Sequence, residues 1–258
     1  MKPKPWMFKK RFSRRQALAI GRSISTMFLV GCVTNRAESR PSPSQVAPLA
    51  ASNFTRGLPG CIARPTQTEG PYFVDEKLKR SDIRSNTSDQ TIRSGIPLAL
   101  QFRVSQITPD RCQPIAGAMV DIWHCDAAGI YSDVQDRSFS TIGQNFLRGY
   151  QLTNDEGLAQ FITIYPGWYP GRTVHIHFKI RLTERSGQNY EFTSQLYFDD
   201  AVTDRVHSQS PYRSKGQRST HNANDGIYQE GGEQLLLTLN PSGQGYTAIF
   251  EIGLQLEI

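Results

Sequence analysis

"TVHIHFKIRL", residues 173–182, alternates apolar and polar side chains along a run rich in β-branched and aromatic residues. Val174, Ile176, Phe178 and Ile180 fall on one face of an extended chain, and His175, His177 and Lys179 on the other. The apolar set would supply a core. The two imidazoles would leave the opposite face together, roughly 6–7 Å apart along the strand, near enough to converge on one ion. Two of the chain's five histidines are spent on this pair. A wet strand face would explain the pair equally well, so the decision rests with the surrounding sequence.

Outward from this run the punctuation is that of an all-β domain. Strand-like runs occur at "IPLALQFRV" (96–104), "AMVDIWH" (118–124), "GYQLT" (149–153), "LAQFITI" (158–164), "TSQLYF" (193–198), "QLLLTL" (234–239) and "YTAIFEIGLQL" (246–256). Turn signals separate them, and "NDEG" (154–157) and "NPSGQG" (240–245) each predict a hairpin. No helical periodicity of ordinary length stands out, and strands at this spacing favour a β-sandwich. Residues 199–232, rich in Asp, Ser, Arg, Gly and Asn, read as a functional or capping loop region.

The formal net charge of +6 belongs to the start of the chain. Eight Lys or Arg and no acidic residue lie in residues 1–31, so the remainder carries 21 basic against 23 acidic residues, a balance of −2. That body offers no electrostatic case for binding nucleic acid. Arg14-Arg15 before a weakly apolar run reads as a twin-arginine export signal, and "LVGC" ending at Cys32 as a lipidation site. Arg22 interrupts the apolar run, which falls short of the ~20 residues that a membrane span needs. The expected organisation is a signal over 1–32, a Pro- and Ser-rich tether over 33–60 and a β-sandwich domain over 61–258, in the cell envelope or periplasm and touching the membrane only through the lipid. Among the remaining cysteines, Cys61 with Cys112 is the favoured disulfide, and Cys125 reads as a buried thiol.

Four motifs in order change the odds on the histidine pair: "TEGPYF" (68–73), "VDIWHCDAAGIYSD" (120–133), "TIYPGWYPGRTVHIHFKI" (163–180) and "SQLYFDD" (194–200). Together they resemble the intradiol ring-cleavage dioxygenases, a family of non-haem ferric enzymes. The resemblance covers about residues 61–200 and continues more loosely to the end. It implies a transthyretin- or immunoglobulin-like β-sandwich whose long loops form the cleft. It also implies Fe(3+) held by Tyr131, Tyr169, His175 and His177, with a small aromatic diol and O2 as the reacting partners. Tyr165 matches no ligand position. Tyr169 is implied as the displaceable ligand that accepts a proton, and Arg172 as the stabiliser of charge developing on the ring. Gln195 is implied to face the substrate, and Tyr72 to contact it or simply to pack. The product would be a cis,cis-muconate-type diacid.

The chemistry of the donors agrees with the resemblance. Phenolates are hard anionic donors and imidazoles are borderline, which suits ferric iron better than zinc or calcium. Trp123 and Ile122 read as core, His124 as a satisfied, partly buried histidine, and His207 and His221 as surface residues. Two alternatives stay open at this point: a non-catalytic binding module on the cell surface, and a metal-binding lipoprotein. Neither the particular diol nor the oligomeric state is legible.

Overall fold

Strict side-chain alternation builds both sheets in the computed structural model, which describes residues 62–137, 139–183 and 187–256. These residues fall within Pro48–Ile258, one of two units into which the chain divides. The expected export signal, the tether, Cys32 and Cys61 all lie outside the described residues. Among the described residues nine strands follow in order: β1 (Pro97–Ile107), β2 (Cys112–Pro114), β3 (Met119–Trp123), β4 (Arg148–Leu152), β5 (Leu158–Ile164), β6 (His175–Thr183), β7 (Asn189–Tyr197), β8 (Asn240–Ser242) and β9 (Gly245–Leu254). The first sheet runs β2-β1-β9-β8, with β5 sharing an edge of β1 with β2. The second runs β4-β3-β6-β7 and is antiparallel throughout.

The two sheets bury a common core, as the alternation requires of a sandwich. Leu98, Leu100, Phe102 and Val104 of β1 meet Val120, Ile122, Ile176, Phe178 and Ile180 of the second sheet. Phe178 joins the layers, its ring centroid lying 5.3 Å from Phe102 and 5.4 Å from Phe250. Removing that ring should cost about 3–5 kcal/mol, the usual penalty for emptying a well-packed aromatic site.

The other face of β6 is not wet. His175, His177 and Lys179 are 2%, 1% and 5% exposed. Residues 64–80 run across that face and cover it. The Gln195 amide donates to the Thr68 carbonyl at 2.9 Å, the Phe73 ring lies 4.8 Å from Trp123, and Lys179 Nζ sits 4.4 Å from the Phe73 centroid. A second, smaller core of Trp123, Cys125, Tyr131 and Val134 forms there, with Tyr72, Phe73, Phe139 and Tyr169 against it.

Two local expectations fail. "NDEG" makes a tight turn, with Gly157 N donating to Asn154 O at 2.8 Å. It is no hairpin, because β4 and β5 belong to different sheets and the turn carries the chain across the sandwich. "QLLLTL" is not a strand. It begins in a 3-10 turn (Gly232–Leu235) and then touches β7 at a single bridge, Tyr197 with Leu236. Its apolar residues Leu235 and Leu237 cap the core instead of pairing. "NPSGQG" does close a hairpin between β8 and β9. The loop region holds the one α-helix among the described residues, α1 (Asp200–His207), capped by Asp199 accepting from Val202 N. Cys112 is disulfide-bonded, and Cys125 is free and buried.

Candidate metal centre

His175 and His177 leave the covered face of β6 with their Nε2 atoms 3.1 Å apart. The Thr173 carbonyl, 2.6 Å from His175 Nδ1, fixes the tautomer. Nδ1 donates there, so the Nε2 lone pair points into the cluster. Tyr169 Oη lies 3.1 Å and Tyr131 Oη 3.5 Å from that same nitrogen. Trp123 stacks on His177 at 5.0 Å with 4° between the planes, and so holds the ring as well as filling core.

Two turns deliver the tyrosines. Tyr131 follows a turn tied by the Asp126 carboxylate, which accepts from the N–H groups of Ala128 and Ile130. Tyr169 sits in the turn before β6. The turns press together at glycines: a Cβ on Gly129 would stand 2.1 Å from the Trp168 carbonyl oxygen, and one on Gly167 would stand 2.5 Å from the Asp126 carbonyl. Any larger residue at either place would separate the two phenols.

Three donor atoms, Tyr131 Oη, Tyr169 Oη and His177 Nε2, thus lie 3.1–3.5 Å from a fourth, His175 Nε2. Donors sharing one ion at about 2.0–2.2 Å have spacings of that order. Burial pushes His175 down to about 3, with the Arg172 charge adding to the effect, and pushes His177 well below the ordinary value, with His175 adding to it. Both rings are therefore neutral at pH 7, the form that ligates a metal. Burial raises the Tyr131 and Tyr169 phenols, a balance that a bound cation reverses. Among the described residues no group of three or more His, Cys, Asp or Glu could hold an ion. Charge compensation here would come from the two phenols, and the donor set fits a hard, highly charged ion.

Arg172 stands beside this quartet, held on two sides. Its Nε donates to Asp225 Oδ2 at 2.8 Å and its Nη2 to Gln195 Oε1 at 2.7 Å. Gln195 is opposite His177 in the β6–β7 register and fully buried. Its Oε1 also accepts from Tyr197 Oη at 3.1 Å. Tyr72 stacks on Tyr131 with centroids 4.5 Å apart and donates to Asp136 at 3.1 Å. Tyr72, Tyr131 and Tyr169 all line a cavity of about 470 Å3, whose wall also includes Ile130, Phe139 and Lys215.

All seven residues expected at the site, Tyr72, Tyr131, Tyr169, Arg172, His175, His177 and Gln195, gather here. Tyr165 does not: its hydroxyl shares a hydrogen with Thr203 at 2.7 Å inside the sandwich core. His124 is buried and satisfied by the Cys125 carbonyl and Thr163. His207, expected at the surface, is buried. It stacks on Tyr212 and donates to the Pro166 carbonyl at 3.0 Å, bracing the Tyr169 turn from behind. Sequence reading missed Asp225 and Tyr197. Asp225 sits in an Asn-Asp-Gly stretch whose turn chemistry hides a second role. Tyr197 stands in the quoted "QLYF" motif and could have been drawn from it.

A family model described as "Dioxygenase" matches residues 68–215. The chain is 32% identical over 119 residues to the protocatechuate 3,4-dioxygenase beta chain of Burkholderia cepacia, covering 43% of this chain and 50% of that one. It is 30% identical over 103 residues to the catechol 1,2-dioxygenase of Candida albicans, covering 39% and 31%. The chain thus spans half or less of the length of these two curated relatives. Among solved structures, an intradiol ring-cleavage dioxygenase from Tetranychus urticae superposes with a TM-score of 0.64 at 33% identity, covering 76% of this chain and 94% of that one.

Proposed function

The chain belongs to the intradiol ring-cleavage dioxygenases, and from that membership we propose that it opens a catechol-type diol between its two hydroxyl-bearing carbons. Both atoms of O2 would enter a cis,cis-muconate-type diacid. Non-haem Fe(III) would be held by Tyr131, Tyr169, His175 and His177. The observation that carries the reading is the convergence of two phenol oxygens and the His177 imidazole nitrogen within 3.5 Å of His175 Nε2, beside a cavity. A non-catalytic binding module has no use for that quartet, and a metal-storage role has none for Arg172 beside it.

The bound iron would supply Lewis acidity toward the diol and an electron path from ring to O2. The chain's own residues do the rest. Tyr169 Oη, part-buried and next to the cavity, is suited to accept a proton from a diol hydroxyl. Arg172, oriented by Asp225 and Gln195, supplies a fixed positive charge that favours negative charge on the ring as the diol loses its protons. Tyr72, Phe139 and Ile130 give the ring an apolar seat and limit water. We propose also that residues 1–32 direct export by the twin-arginine route, with lipidation at Cys32.

Oxygen uptake by iron-loaded protein with catechol, followed by mass analysis of product formed under isotopically labelled O2, tests the reading. A diacid carrying two labelled atoms is expected. A ring-opened semialdehyde, or no uptake with any diol, would contradict it.

A further inference from the structure

The cavity beside the quartet is roomier than one ring requires and carries a cation that the chemistry above leaves idle. Its volume of about 470 Å3 lies within the roughly 300–1,000 Å3 of pockets that enclose drug-sized ligands. Besides Tyr131 and Tyr169, the wall includes Ala128, Gly129 and Lys215, which the proposed chemistry does not use. Lys215 is fixed in that wall. Its Nζ donates to the Ala128 carbonyl and lies 5.0 Å from the Trp168 ring centroid, while Trp168 Nε1 donates to the Gly216 carbonyl at 3.2 Å. An ammonium has three N–H donors. One goes to Ala128 and one faces the indole ring, which leaves one for a ligand.

The nearby acids are otherwise engaged. Asp136, on the same cavity wall, accepts from Tyr72 at 3.1 Å. Asp126 pairs with Arg93 at 3.7 Å and ties its own turn. Among the described residues no carboxylate forms an ion pair with Lys215. Asp126 attracts Lys215 through space without pairing with it, and a cation lining a half-desolvated cavity with no carboxylate in contact favours an anionic ligand group. We propose that Lys215 is a specificity-determining residue that selects diols carrying a carboxylate on a side chain of the ring. The aromatic walls take the ring, and the ammonium takes the carboxylate. This inference rests on the dioxygenase reading for its substrate class.

The test compares 3,4-dihydroxyphenylacetate with its methyl ester in oxygen uptake by the iron-loaded protein. Wild type should prefer the acid in kcat/KM by roughly tenfold, the scale of a partly screened charge pair, and the preference should shrink as salt is added. Lys215→Met should bring the acid-to-ester ratio to about one, and Lys215→Arg should keep most of it. Calorimetric titration with 4-hydroxyphenylacetate, which lacks the second hydroxyl, reads binding without turnover. Its affinity should fall by about the same factor in Lys215→Met. A wild-type ratio near one, or a ratio or affinity unchanged in Lys215→Met, would overturn the proposal. Absence of oxygen uptake with every diol would instead overturn the dioxygenase reading, and the calorimetry would still decide the role of Lys215.

Discussion

Replacing Asp225 by Asn should disable the site without touching a metal ligand or the cavity wall. The carboxylate is 1% exposed and accepts four hydrogen bonds. Oδ1 takes the N–H groups of Ile227 and Tyr228, both at 2.9 Å, and Oδ2 takes Arg172 Nε at 2.8 Å and Thr173 N at 2.7 Å. An amide fills the same volume but must point its NH2 at one of these donor pairs. Breaking a buried ion pair from one side costs about 3–5 kcal/mol. Arg172 is 16% exposed and keeps Gln195, so the lower end, about 3 kcal/mol, applies. In a domain of this size that lowers the melting temperature by roughly 6–12 °C. Burial alone would raise the Asp225 carboxyl, but the N–H groups of Tyr228 and Thr173 and the Arg172 guanidinium outweigh it and hold the pKa below the ordinary value. Its contribution is therefore complete above the ordinary carboxylate pKa of about 4 and is lost as pH falls through the lower folded value, so the two melting curves should converge in acid. With Arg172 held by Gln195 alone and no longer fixed on two sides, kcat should fall by on the order of 10²-fold while KM changes far less. Thermal unfolding across pH and steady-state oxygen uptake measure both effects. An Asp225→Asn protein that melts within about 2 °C of wild type and turns over normally would refute the argument that this carboxylate positions the guanidinium.

Gly70 adopts φ +71°, and an added Cβ would stand 3.2 Å from His177 Cε1, so Gly70→Ala should cost about 1–3 kcal/mol in denaturant unfolding and weaken iron retention in metal analysis. Burial, with Asp126 adding to it, pushes the Cys125 thiol up to about 12, so the native protein at pH 8 should leave Cys125 unmodified by iodoacetamide in peptide mapping, and unfolding should expose it. Arg14-Arg15→Lys-Lys should block translocation and Cys32→Ser should release active protein from the membrane fraction; membrane association unchanged in Cys32→Ser would contradict lipidation.

What the sequence conveyed and what it withheld divide along sequence distance. The alternation in β6 is local, so the faces of His175, His177, Ile176 and Phe178 could be read directly. The ordered motifs supplied the tyrosines as a resemblance, and the structure brings Tyr131 and Tyr169 to the same nitrogen. Alternation shows that two faces differ, yet it is silent on whether the polar face is covered, and residues 64–80 cover it here. The partner of Arg172 lies 53 positions further on, beyond any local pattern. Turn chemistry at 154–157 is the same whether two strands pair or the chain crosses to the other sheet. The short apolar run at 234–239 satisfies a capping segment as well as a strand, and periodicity alone does not separate them. His207 looked solitary because Tyr165 and Pro166, which enclose it together with Tyr212, lie about forty positions earlier in the chain.

The central claim is that Tyr131, Tyr169, His175 and His177 share one iron, and iron stoichiometry with the visible spectrum of the reconstituted protein tests it most directly. One iron per chain is expected, with a tyrosinate-to-iron charge-transfer band that is lost or displaced in Tyr169→Phe and in Tyr131→Phe, and with iron itself lost in His177→Ala. A colourless iron-loaded protein, or a band abolished by Tyr165→Phe and retained in Tyr169→Phe, would contradict the account.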